Sequence, residues 1–99
     1  MPLYLVSYDI AEQHGDEYKP LWTYLDTLGS LKVLYSEYAV PFSRTPLELA
    51  TQVNKYLKKE DHLLLSEMFN SSATTACTDL LVDRKVFFDF LARHARSLS

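Results

Sequence analysis

Asp9 is the residue whose place in the chain points most directly to chemistry. It closes an apolar opening run, Leu3-Tyr4-Leu5-Val6-Ser7-Tyr8-Asp9, and a polar loop follows it. A carboxylate at the mouth of a buried strand can hold a metal ion or a proton. It can equally cap the next turn by accepting backbone N–H bonds. Glu12, His14 and Asp16 lie just beyond and offer further donors, although a polar strand-to-helix loop needs no other reason for such residues. His62 and His94 have no metal-ligand spacing with each other or with Cys77, and read as surface or boundary residues. With two glycines in the chain there is no glycine-rich phosphate loop, and no serine sits in a nucleophile-elbow context.

Composition limits what can surround these groups. A chain of 99 residues with 47% hydrophobic and 13% aromatic content is one globular domain with one core. Cys77 is the single cysteine, so no internal disulfide can form and a reduced, cytoplasmic setting is expected. No apolar run approaches the roughly 18 residues that span a bilayer, and Met1-Pro2-Leu3 lacks the basic start of a secretory signal. No membrane partner is expected. The net charge of −3 argues against tight non-specific nucleic-acid binding. Basic residues gather at Lys55, Lys58 and Lys59 and at Arg84, Lys85, Arg93 and Arg96. These make either a local basic surface or, more simply, solvated helix faces and ends.

The elements follow from pattern. Pro2–Asp9 is apolar on both alternating faces, as in a central strand covered on both sides. A helix is predicted over Asp16–Leu28, with Pro20 in its first turn, a stripe of Tyr18, Leu21, Leu25 and Leu28, and Gly29 as its C-terminal stop. Leu31–Tyr35 and Glu37–Phe42 read as two strands joined at Tyr35-Ser36, a turn without Gly or Asn. Thr45-Pro46-Leu47-Glu48 is a capping box opening a second helix, which Lys58-Lys59-Glu60 closes. Asp61–Phe69 is the fourth strand. Leu80–Val82 is either a short fifth strand or a lead-in to a third helix, Asp83–Ser97, with Asp83 as its N-cap. The domain therefore divides into a core over residues 1–69, a Ser/Thr-rich loop over 70–82 expected to be mobile, and a C-terminal helix over 83–99.

The order β-α-β-β-α-β plus a helix is the split β-α-β arrangement. The expected fold class is α+β: a ferredoxin-like antiparallel sheet with two helices on one face. The other face needs a cover, from the third helix, a second protomer or stacked bases. Tyr4, Tyr8 and Tyr38 can serve either as a stacking platform or, more simply, as packing under a helix or dimer partner.

Three segments carry a resemblance. Tyr4-Leu5-Val6-Ser7-Tyr8-Asp9-Ile10 resembles the opening strand of the small CRISPR-associated Cas-two nucleases, of the VapD toxins and of the SinR-like proteins. Lys32-Val33-Leu34-Tyr35-Ser36-Glu37-Tyr38-Ala39-Val40 is similar to their second and third strands, where a serine marks the hinge. Asp61-His62-Leu63-Leu64-Leu65-Ser66-Glu67 is similar to their fourth. The likeness spans about residues 2–68 and is greatest to the SinR-like branch. It implies a ferredoxin-like homodimer in which the strand-one aspartates of two protomers hold a divalent metal, Mg2+ or Mn2+. On that likeness Asp9 is the metal ligand and catalytic residue, Ser36 is the second catalytic residue, and the substrate is RNA or DNA. Two departures stand out. Tyr35 occupies a position where the SinR-like pattern often has aspartate, and the Ser/Thr loop and last helix replace a short C-terminal strand. Three function classes remain open: a metal-dependent endonuclease, a non-catalytic dimeric adaptor, and a nucleic-acid binder using the basic residues of the last helix.

Overall fold

The computed structural model describes residues 1–10, 16–71, 77 and 79–97. Four strands form one antiparallel sheet: β1 (Leu3–Asp9), β2 (Leu31–Leu34), β3 (Glu37–Pro41) and β4 (His62–Met68). Their spatial order is β2-β3-β1-β4. The two-sided apolar strand β1 takes an interior position between β3 and β4. Three helices complete the architecture: α1 (Lys19–Thr27), α2 (Pro46–Asn54) and α3 (Arg84–His94). The fold is thus α+β. Among the described residues no helix is long and apolar enough to cross a membrane.

Strand alternation sends the two halves of β1 into two cores. Tyr4, Val6 and Tyr8 pack with Tyr38 and Val40 of β3, Leu21 and Leu25 of α1, and Leu49 and Val53 of α2. Leu3 packs with Val33, Ala39 and with Phe87 and Leu91 of α3. Helices α1 and α2 therefore share one face, and α3 covers part of the other face of its own sheet.

Local chemistry explains the helix ends. A 3-10 turn, Asp16–Tyr18, leads into α1, so the α-helix proper starts three residues later than its pattern suggests, with proline in its first turn. Gly29 adopts φ 74°, and the N–H groups of Gly29 and Ser30 return to the carbonyls of Asp26 and Leu25 at 3.0 and 3.4 Å. This is a Schellman closure, which favours glycine because the left-handed backbone carries no Cβ penalty there. The Thr45 hydroxyl accepts the Glu48 N–H at 3.2 Å. The Glu48 carboxylate pairs with Arg44 at 3.2 Å. Helix α2 stops at Asn54 rather than near Glu60, because Lys55, Tyr56 and Leu57 tighten into bonds to the residue three earlier.

Asp83 caps α3 through its side chain, accepting the Lys85 N–H at 2.8 Å. The helix ends at His94, short of the expected Ser97. Arg96 is drawn away: it bridges to Phe69 beside β4, its carbonyl accepts the Asn70 N–H at 2.9 Å, and its guanidinium forks onto the Glu67 carboxylate. Leu80–Val82 is a lead-in, tied to β2 by one bond from the Leu81 N–H to the Val33 carbonyl at 3.0 Å. Residues 72–76 and 78 of the expected Ser/Thr loop lie outside the described residues.

Candidate functional site

The site is a corner of the sheet that α3 does not reach. Ser7 and Asp9 point to the α3 side of β1, on the same face as Leu3 and Leu5 but toward the opposite end. Pairing registers decide their neighbours: Asp9 stands opposite His62, and Ser7 is flanked by Leu64 on β4 and Glu37 on β3. The α3 cluster is built on Leu3, Leu5, Ala39 and Met68, so it stops before this corner. What remains is a shallow depression of about 260 Å3 lined by Ser7, Asp9, Ser36, Glu37, His62 and Leu64, among others. Asp9 is exposed, and Leu64 is 69% exposed beside it.

The structure brings the two sequence-derived site residues, Asp9 and Ser36, to one depression. Ser36 sits in the two-residue turn between β2 and β3, and that turn is pinned by Tyr8. The Tyr8 N–H donates to the Ser36 carbonyl at 3.0 Å, and the Tyr8 hydroxyl reaches the Tyr35 carbonyl at 3.4 Å. The Trp22 indole N–H donates to that same hydroxyl at 3.0 Å. Burial raises the Tyr8 phenol above its ordinary pKa, so it acts as a neutral hydrogen-bonding post. Its neighbour Tyr38, stacked at 6.4 Å, is pushed up to about 12 by burial, with Tyr8 and Asp26 adding to the effect.

Tyr4, Tyr8 and Tyr38 are buried beneath α1 and α2, so they pack the core and present no stacking surface. Tyr35 is the exposed ring in this region. Lys32 lies behind it, its ammonium 5.7 Å from the Trp22 ring and 5.9 Å from the rings of Tyr35 and Tyr38.

Other sequence candidates fall elsewhere. Glu12 and His14 lie outside the described residues. Cys77 is partly buried and borders a separate depression with Asp79, Leu80, Val82 and Arg84. His94 leans on Phe90 at 4.4 Å, and burial, helped by Arg93, lowers its pKa. His62 and Glu37 are the residues that local sequence pattern passed over. The signal for them is the strand register, which joins residues distant in the chain.

Chemically, the corner offers one exposed carboxylate, two serines, a second carboxylate and an imidazole. Among the described residues, no three His, Cys, Asp or Glu side chains converge as a metal-holding group. Asp9 offers a carboxylate oxygen of the kind magnesium or manganese takes. Fold and site together define a small α+β protein with a carboxylate-bearing depression at an open end of an antiparallel sheet. Compared with known proteins, the chain matches no family model, no curated protein and no solved structure.

Proposed function

We propose that this protein is a ferredoxin-like homodimer, akin to the Cas-two, VapD and SinR-like group, that cleaves phosphodiester bonds with a divalent metal held between the Asp9 residues of two protomers. The strand order β2-β3-β1-β4 supports the topology. The observation that carries the function is the exposed Asp9 in a depression that α3 leaves open, with Ser36 on its wall. Exposed Leu64 beside it gives a second protomer an apolar seat.

In this reading Asp9 binds the metal through its carboxylate, and the partner copy adds the second one. When bound, the metal activates water and neutralises charge on the phosphoryl oxygens. Ser36 orients the phosphate through its hydroxyl. His62, directly across the strand pair from Asp9, carries a proton to the leaving oxygen. The test is cleavage of RNA and DNA oligonucleotides by rigorously purified wild type and Asp9→Asn with magnesium, manganese or chelator. Undiminished cleavage by Asp9→Asn overturns the proposal.

A second reading has its own support. Helix α3 lies across part of the face that a sheet-to-sheet dimer would use, and the chain carries a net charge of −3, unfavourable to a polyanionic substrate. The first weighs against a metal shared between facing Asp9 residues and the second against a nucleic-acid substrate, which favours a non-catalytic adaptor or interaction module. That reading fails on reproducible, Asp9-dependent turnover of any nucleic acid.

A further inference from the structure

We propose that Tyr35 and Lys32 form a base-and-phosphate subsite that seats a single-stranded nucleic acid at the β2–β3 turn, on the α1 side of the sheet. The choice of ligand rests on the phosphodiesterase reading. The subsite itself rests on separate observations.

Tyr35 is 70% exposed, the most exposed aromatic residue among those described. Exposed rings are common, but this one sits on a turn tied to Tyr8 by two hydrogen bonds. Its carbonyl is held by the Tyr8 hydroxyl and the adjoining Ser36 carbonyl by the Tyr8 N–H, at 3.4 and 3.0 Å. A fixed turn offers a ring face with little conformational freedom left to lose on binding. Lys32 supplies the charge. Its ammonium stands 5.9 Å from the Tyr35 ring and is oriented by the rings of Trp22 and Tyr38. Among the described residues no carboxylate forms an ion pair with Lys32. An aromatic face with an adjacent, uncompensated cation is the pairing that binds a nucleotide, the base on the ring and the phosphate on the ammonium. Ser36, the next residue, lines the depression that holds Asp9. The Lys32 ammonium lies on the α1 face with Trp22 and Tyr38, so a strand seated there reaches the Asp9 depression by passing round the turn at Ser36. Duplex substrates fit poorly, because their bases are already stacked and their faces hidden.

The test is equilibrium binding by fluorescence anisotropy, using labelled oligo-U, oligo-dT and a duplex of equal length, in low salt with chelator so that no cleavage occurs. The wild type is expected to bind the single strands more tightly than the duplex. Tyr35→Ala is expected to weaken single-strand binding roughly tenfold, and Tyr35→Phe to retain it. Lys32→Ala should lower the slope of log K against log salt by about 0.7, one phosphate contact on a single strand. Trp22, the single tryptophan, reports occupancy independently, since it lies 5.7 Å from the Lys32 ammonium. Equal binding by oligo-U and oligo-dT marks the shared base-and-phosphate chemistry, and where they differ oligo-dU, with the base of one and the sugar of the other, separates the sugar from the thymine methyl. No binding by the wild type, or equal affinity for wild type and a folded Tyr35→Ala, overturns the subsite. Single-strand binding by a wild type that cleaves nothing with magnesium or manganese would fail the phosphodiesterase reading and leave the subsite standing, so the two failures are separable.

Discussion

Truncating Leu91 should reveal whether α3 belongs to its own sheet. Leu91 is 1% exposed and Phe87 4% exposed, both inside the cluster that includes Leu3, Val33 and Ala39. Replacing a fully buried leucine by alanine removes its transfer energy and leaves a cavity, at a cost of about 2–5 kcal/mol. A middle value of about 3 kcal/mol is a large share of the roughly 5–15 kcal/mol that holds a domain together. For a chain of this size it lowers the melting temperature by about 12–24 °C. Val86, on the same helix and 49% exposed, is the internal control, with a change within about 0.5 kcal/mol for Val86→Ala. The assay is urea unfolding of both variants and wild type at two protein concentrations well apart. The intrachain packing requires the Leu91→Ala loss to be the same at both concentrations. A loss that grows on dilution means that α3 draws its stability from a neighbour. A loss no larger than that of Val86→Ala refutes the docking altogether.

Three further outcomes follow from the packing and charge. Tyr18 is pushed up to about 12, by burial first and then by its 2.7 Å hydrogen bond to the Asp61 carboxylate. A phenol raised from 10.0 when folded contributes stability that is complete below about pH 10 and is lost through about pH 12. Unfolding free energy should therefore fall across that window, less steeply in Tyr18→Phe. The Arg96 guanidinium holds Glu67 below its usual value, 4.5, so this pair's contribution is present above that pH and lost as the pH drops further. Acid titration of stability should show a shallower decline in Glu67→Gln than in wild type. Gly29→Ala should destabilise by about 1 kcal/mol, purely through the backbone, because an added Cβ meets nothing within 4 Å while φ stays at +74°. An unchanged denaturation midpoint would show that the Schellman closure relaxes freely.

What could be read from the chain alone depended on range. The Thr45 cap, the Gly29 stop, the Asp83 cap and the central placement of β1 are set by neighbours within a few residues or by simple alternation, and each has its counterpart in the structure. Helix ends governed by distant partners were not legible. The pattern of α3 continues toward Ser97, but Glu67, 29 residues earlier, captures Arg96 and stops the helix. The candidate site divides in the same way. Asp9 stands out as a carboxylate closing an apolar strand. Glu37 and His62 join it only through the registers of β1 with β3 and β4, which no local spacing encodes. Tyr35 reads as one residue of a turn. Its role as an exposed ring beside a cation emerges only once Tyr8, Trp22 and Lys32 are placed around it.

The most direct measurement of Asp9's role is cleavage of single-stranded RNA and DNA by wild type and Asp9→Asn, each purified identically, with magnesium, with manganese and with chelator. Metal-dependent cleavage by the wild type is expected to drop at least a hundredfold in Asp9→Asn, about 2.7 kcal/mol of transition-state stabilisation. Cleavage that persists undiminished in Asp9→Asn, or no cleavage by the wild type under any metal, contradicts that role.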